Sequence, residues 1–286
     1  MPTNNINNML PHKRFAMVLA LALLMIFSIS EAATKKPQRI VSMNLCTDQL
    51  LLLLVPSERI VSVSALSLDS NSSYMADAAK NHHTNHGKSE EILPLKPDLV
   101  LASGYAARPA VELLRKLGHR VEMVPMANTI ADIRNNISTI ASLVGEQQKG
   151  AEIIEQMDRR IAQVQAQLTG SKKRAIFYQP RGYTSGSNTL QDEALRLAGW
   201  QNVAATIGIN GYNQIGLEQL LMAQPEQIFT SSYAPGTSSM AQRKLQHPVL
   251  GKLTDTRPMV EIDYRLWICD GPMITEAIEA LAAAHR

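Results

Sequence analysis

The residues best suited to recognising a ligand fall in the predicted turns. Tyr105, Tyr178, Tyr183, Tyr233, Tyr264 and Trp267 lie in or beside segments that follow predicted strands, as do Arg108, Arg181 and Arg265, although only 5% of the chain is aromatic. Tyrosine and tryptophan offer flat apolar faces, and the arginine guanidinium is a planar fork of donors. That combination suits a bulky, partly apolar ligand with amides or carboxylates on its rim. The candidate contacts are Asn44, Tyr105, Arg108, Arg181, Tyr183, Tyr233, Arg265 and Trp267. Any single tyrosine at a strand end ordinarily just packs there; their concentration in these turns carries the expectation. Trp200, after a helix-ending glycine, reads as core.

A second chemical signal is a repeated phrase. Glu90 to Val100 is echoed by Glu218 to Phe229, 128 positions later. Each copy runs from a Glu through a short apolar helical turn to a Pro seven positions on (Pro97, Pro225), then an acid, then a β-prone run. A repeat of this kind implies two similar lobes and places one carboxylate at the same point of each. Taken singly, each Glu is an ordinary first-turn acid, favourable near a helix N-terminus. Glu91 is the alternative should the register slip by one.

Other reactive residues lead to weaker chemistry. Cys46 and Cys269 could form a disulfide closing a very long loop, or stay as two buried thiols; two cysteines alone do not make a metal site. His82, His83 and His86 sit in the polar segment Lys80 to Lys88, which reads as a solvated loop, so no metal site is assigned. Gly182-Tyr183-Thr184-Ser185-Gly186 departs from the Gly-x-Ser-x-Gly elbow of hydrolases, because Gly follows Ser directly. No paired acids, phosphate loop or zinc helix appears, and no enzyme activity is expected.

The elements that must position these residues alternate. Strands are predicted at 39–44, 59–63, 98–102, 120–124, 174–178, 227–230 and 259–263. Helices are predicted from Thr47, at 109–117, 190–198, 217–223 and 273–283. Short loops between them imply mainly parallel sheets covered on both faces. The middle is helical: Ile130, Ile133, Ile137, Ile140 and Val144 keep one face up to Gly145, and a second helix spans roughly Gln147 to Leu168, about 33 Å long. That length suits a strut between lobes.

The N-terminus reads as an export signal. His12, Lys13 and Arg14 precede an apolar run from Phe15 to Ile29, and Ala32 and Ala33 offer a cleavage site. The run is short of the roughly 20 residues a spanning helix needs. Without residues 1–33 the chain keeps 26 basic and 24 acidic residues. That balance gives no footprint for nucleic acid. An exported, monomeric protein is expected.

The run Arg39 to Leu51, the phrase Glu90 to Ala102, the central helix and the phrase Glu218 to Glu226 together resemble the periplasmic binding proteins of importers for iron-siderophores, haem and vitamin B12. The resemblance covers nearly the whole mature chain. It implies two α/β lobes (38–127 and 171–286) joined through a helical region (128–170) with one long rigid helix, and a ligand cleft between them. It implies a metal chelate as ligand (cobalamin or another corrinoid, a ferric siderophore, or haem), no cofactor of the protein's own, and an ABC permease dimer with its ATPase as partners. By position in the motif, Glu90 and Glu218 would dock on the permease. A corrinoid or siderophore is preferred over haem, since Tyr74, Tyr105 and the clustered histidines offer axial ligands with nothing to select among them. A sensor or haem chaperone is the alternative use of the fold.

Overall fold

The computed structural model describes residues 35–104, 106–233, 245, 247, 248, 250, 251 and 258–285. The proposed signal segment lies outside the described residues, as does Tyr105. No helix among the described residues is long and apolar enough to cross a membrane.

The first lobe begins with β1 (Ile40–Ser42), fully buried, and α1 (Leu45–Leu54). The helix starts two residues earlier than the sequence suggests. Asn44, in extended conformation, is its N-cap, and its side chain accepts from the Thr47 amide. Then come β2 (Ile60–Ser64), α2 (Ala76–Ala79), β3 (His83–Asn85), α3 (Ser89–Ile92), β4 (Leu99–Ser103), α4 (Arg108–Lys116) and β5 (Val121–Val124). The strands pair in parallel in the order β3-β2-β1-β4-β5. Strand β3 falls inside the segment expected to be a polar loop.

Two helices follow. α5 (Ile130–Val144) opens with a capping box between Thr129 and Asp132 and stops at Gly145, whose φ of 74° is the left-handed cap glycine favours. α6 (Gln147–Gln167) has 21 residues, about 32 Å of helix. The two cross closely at Gly150, where a Cβ would fall 2.5 Å from that of Ala141. α5 packs on α1 of the first lobe, while α6 packs on α7 (Leu190–Leu197) and on α10 (Ile274–His285) of the second.

The second lobe holds β6 (Lys173–Phe177), β7 (Tyr183–Ser185), α7, β8 (Trp200–Asn202), α8 (Val203–Thr206), β9 (Tyr212–Gln214), α9 (Leu217–Ala223), β10 (Gln227–Thr230), β11 (Val260–Glu261) and α10. Its main sheet is parallel, in the order β11-β10-β6-β8, and β7 with β9 forms a separate antiparallel pair. Trp200 is fully buried, as expected. One apolar cluster runs from Ile40, Leu51 and Ile60 through Ile137, Ile140, Met157 and Ile161 to Phe177, Trp200 and Ile278. The core is therefore continuous through both sheets, and residues 37–286 form one compact unit.

The repeated phrases build the same local structure twice. Ser89 to Leu95 is a turn of α-helix finished by a 3-10 turn at Pro94, and α9 covers the equivalent seven residues. Glu90 and Glu218 are each the second residue and exposed. Lys96 (φ 47°) and Gln224 (φ 45°) then turn left-handed, and Pro97 and Pro225 follow. Asp98 accepts from the backbone amides of Gln38 and Arg39, and Glu226 from that of Arg174. Arg39 and Arg174 donate to the carbonyls that end the helices, Leu95 and Ala223. Left-handed non-glycine residues carry a local penalty, which these side chains offset by satisfying the helix-terminal carbonyls.

Candidate functional site: a cleft between the lobes

In parallel sheets the turns leaving the carboxyl ends of strands form the natural ligand crevice. Here they enclose a cavity of about 530 Å³. The turn from β1 into α1 supplies Met43, Asn44, Leu45 and Cys46; the segment after β2 supplies Ser64, Ala65 and Leu66; Asn85 and His86 come from the end of β3. The second lobe closes it with Tyr264 and Ile268. Tyr264 also lines a neighbouring cavity of about 540 Å³ with Ser70, Asn71, Ser232, Glu261, Asp263 and Arg265. The two hollows thus share one aromatic wall.

The expected contacts separate into groups. Asn44 lines the first cavity, but its side chain is engaged as helix cap and by Ser103 Oγ. Arg265 lines the second, with its guanidinium paired to Asp263 at 2.5 Å. That pairing outweighs burial, which acts in the opposite sense, and holds the Asp263 carboxyl below its ordinary range. Tyr233 is half exposed, stacks edge-on against Tyr264 at 5.6 Å and donates to Asp69 Oδ2 at 2.8 Å. Asp69 belongs to the first lobe, so this bond spans the cleft mouth. Arg108, Arg181 and Tyr183 are exposed and line neither cavity.

Trp267 requires a correction. It is only 6% exposed and packs edge-on against Phe177 at 5.2 Å, inside the continuous core. The 3-10 turn Tyr264–Leu266 explains this: it leaves Tyr264 and Arg265 at the cleft and sends Leu266 and Trp267 inward. Tyr178 is likewise fully buried. His86 was read as part of a solvated loop; it lines the cavity, because β3 adds an edge strand whose end faces the cleft.

The lobes are tied beside the cavity. Cys46, in the first turn of α1, forms a disulfide with Cys269, with Cα atoms 4.8 Å apart. Next to it Asp270 accepts from the Ala127 amide at 2.6 Å. Burial pushes the Asp270 carboxyl up to about 6, against that hydrogen bond. Tyr74 of the first lobe bonds Glu276 of α10, which also faces Arg160 of α6. Under α1, the buried Asp48 accepts from the Ser64 amide and the Ser67 hydroxyl, and burial raises its pKa despite them.

Two parallel-sheet lobes, braced by a helix pair and enclosing a cavity at their strand ends, define the class of two-lobed ligand receptors. The sequence profile described as periplasmic binding protein matches residues 40–256, and the chain belongs to that family. It is similar to a vitamin B12-binding protein of Vibrio parahaemolyticus, 32% identical over 170 residues, which are 57% of this chain and 60% of that relative. The chain thus spans about three fifths of that relative's length. Among solved structures, the periplasmic haem-binding protein HutB of Vibrio cholerae superposes with a TM-score of 0.74 at 22% identity, covering 87% of this chain and 99% of that one. The vitamin B12-binding protein BtuF of Vibrio cholerae does so with a TM-score of 0.67 at 22% identity, covering 87% and 96%. These structural likenesses establish the shared fold.

Proposed function

We propose that this chain is an exported receptor that captures a metal chelate in the cleft between its lobes and delivers it to an ABC permease with its ATPase. It catalyses nothing in this reading. The observation that carries it is the cavity at the carboxyl ends of the first lobe's strands, closed by Tyr264 and Ile268 from the second. Apolar Met43, Leu45, Leu66 and Ile268 suit the flat faces of a large ligand, and Tyr264 a stacking wall. Relatives named for vitamin B12 and neighbours named for haem support a chelate as the ligand class.

Asn44, Tyr233 and Arg265 contact the ligand or the mouth that admits it, Arg108, Arg181 and Tyr183 serve on the rim, and Tyr105 is kept as a ligand contact. We divide the chain into lobes 38–127 and 171–286 with a helical region 128–170; the two sheets and the helix pair between them support that division. Glu90 and Glu218 provide one foothold per lobe for the permease. Their matched place in a duplicated, rigidly clamped device suits a pseudo-symmetric partner, with charge setting encounter and register. Native mass spectrometry after incubation with hemin, aquocobalamin and ferrichrome tests the reading. A one-to-one complex with any of them is expected; turnover of an added ester with no chelate bound would overturn it.

A further inference from the structure

We infer that Cys46 is a thiol-exchange site in the wall of the ligand cavity: a small thiol entering there opens the Cys46–Cys269 bridge, and a bound chelate shields it. The shielding rests on the receptor reading; the exchange site does not. The bridge joins the lobes at the place where the cavity is built. On the first lobe Cys46 lines the cavity beside Leu45; on the second, Ile268 lines it, one residue before Cys269. The two cysteines are unequally placed. Cys46 is half-buried. Cys269 is 2% exposed and lines neither this cavity nor the small hollow of about 20 Å³ between Cys46 and Asp270. A thiolate arriving through the cavity therefore meets Cys46 first.

Exchange proceeds by attack of a thiolate on one sulfur of the bridge, through a mixed disulfide. The incoming sulfur bonds to Cys46 Sγ, the bond between the two Sγ atoms breaks, and Cys269 leaves as a thiolate that takes a proton from water. A second thiol of the reductant then attacks the mixed disulfide and releases Cys46. The reductant's two thiols end as one disulfide, and two electrons have passed to the protein. Released Cys46 is the second residue of α1, a ten-residue helix capped by Asn44. Unsatisfied backbone amides at a helix start favour a thiolate, so Cys46 is the cysteine placed to restart the exchange and close the bridge again.

Opening the bridge changes the cavity itself. The bridged Cα atoms are held 4.8 Å apart, so the cavity-lining residues of the two lobes form one preset wall. Without the bond, the lobes are held near the cavity by single hydrogen bonds: Asp270 to the Ala127 amide beside the bridge, Tyr233 to Asp69 at the mouth, and Tyr74 to Glu276 farther back. A ligand then meets a less preorganised site and loses affinity. The converse follows from linkage: a ligand that prefers the bridged form makes the bridge harder to open by the same factor. The receptor's hold on its cargo thus falls when thiols reach Cys46, and the cargo in turn guards Cys46.

The folded chain, incubated with reduced glutathione, quenched with acid and peptide-mapped, tests the exchange site. A glutathione adduct on Cys46, formed without denaturant, is expected. An adduct on Cys269 instead, or no adduct until the chain is unfolded, overturns it. Repeating the incubation with cyanocobalamin, ferrichrome or gallium protoporphyrin, chelates that glutathione does not reduce, tests the shielding. With any of them bound, as native mass spectrometry reads, adduct formation should slow about tenfold or more, and the double variant Cys46→Ser/Cys269→Ser should bind that chelate about tenfold or more weakly. An unchanged adduct rate with chelate bound overturns the shielding and leaves the receptor reading intact. None of the three chelates bound overturns the receptor reading, while a Cys46 adduct still upholds the exchange site.

Discussion

Strands β2-β1-β4-β5 of the first lobe and β8-β6-β10-β11 of the second run in the same spatial order, all parallel. Each lobe carries the arginine–acid clamp behind a left-handed cap, and each presents a glutamate at the second position of the clamped helix. Around that common scaffold the lobes diverge. The first adds β3 at its edge, and the loop leaving β3 brings Asn85 and His86 to the cavity. The second adds the β7–β9 pair instead and, among the described residues, reaches the cavity through Tyr264 and Ile268. In the proposed function, the duplicated part faces the permease and the unduplicated part faces the ligand. Transport and recognition can then be damaged separately.

The largest expected effect breaks the symmetric half. Reversing both Glu90 and Glu218 to Lys should abolish chelate uptake in cells or proteoliposomes carrying the cognate permease, with chelate affinity unchanged. Uptake that survives the double reversal removes these residues from docking. Next comes the tie between lobes. Reducing the Cys46–Cys269 bridge, which closes a loop of 223 residues, should cost about 2–5 kcal/mol of stability, read as a lower melting temperature. Two alkylatable thiols in the native, unreduced protein would exclude the bridge.

Smaller effects sharpen the asymmetric half. Tyr264→Ala removes the second lobe's aromatic wall and should weaken chelate binding about tenfold or more, roughly 1.4 kcal/mol or above. Tyr264→Phe should bind nearly as the parent does, as expected for stacking rather than hydrogen bonding. The smallest effect concerns Asp270, raised to about 6 by burial. A carboxyl raised above its unfolded value binds more protons folded than unfolded, so its ionisation costs stability as pH rises from about 4 to about 6. Asp270→Asn keeps an acceptor for the Ala127 amide without the charge. It should melt a few degrees higher than the parent at pH 7.5, on the order of 2 kcal/mol, with the difference vanishing near pH 4. A difference that persists at pH 4 would assign the effect to packing.

Much of this asymmetry was hidden in the chain, for physical reasons. The alternation of strands and helices and the apolar face from Ile130 to Val144 are periodic, so they could be read directly. The clamp was visible as a repeated phrase, though not its arginines, because Arg39 and Arg174 stand at different distances from their helices. β3 carries no apolar residue: its His-Thr-Asn is held by parallel pairing with β2 and by the buried Asn85 side chain, neither of which leaves a pattern in sequence. Trp267 misled for the converse reason. Two residues past Arg265 in a 3-10 turn, it points to the other side of the backbone, and composition says nothing about side.

Hydrogen exchange of the purified chain with and without a saturating chelate, hemin or aquocobalamin, tests the ligand's seat between the lobes most directly. Simultaneous protection of residues 43–46, 64–66 and 85–86 in the first lobe and of 264–268 in the second is the expected result. Protection confined to one lobe, or bound chelate with neither set protected, would contradict a ligand held in the cleft.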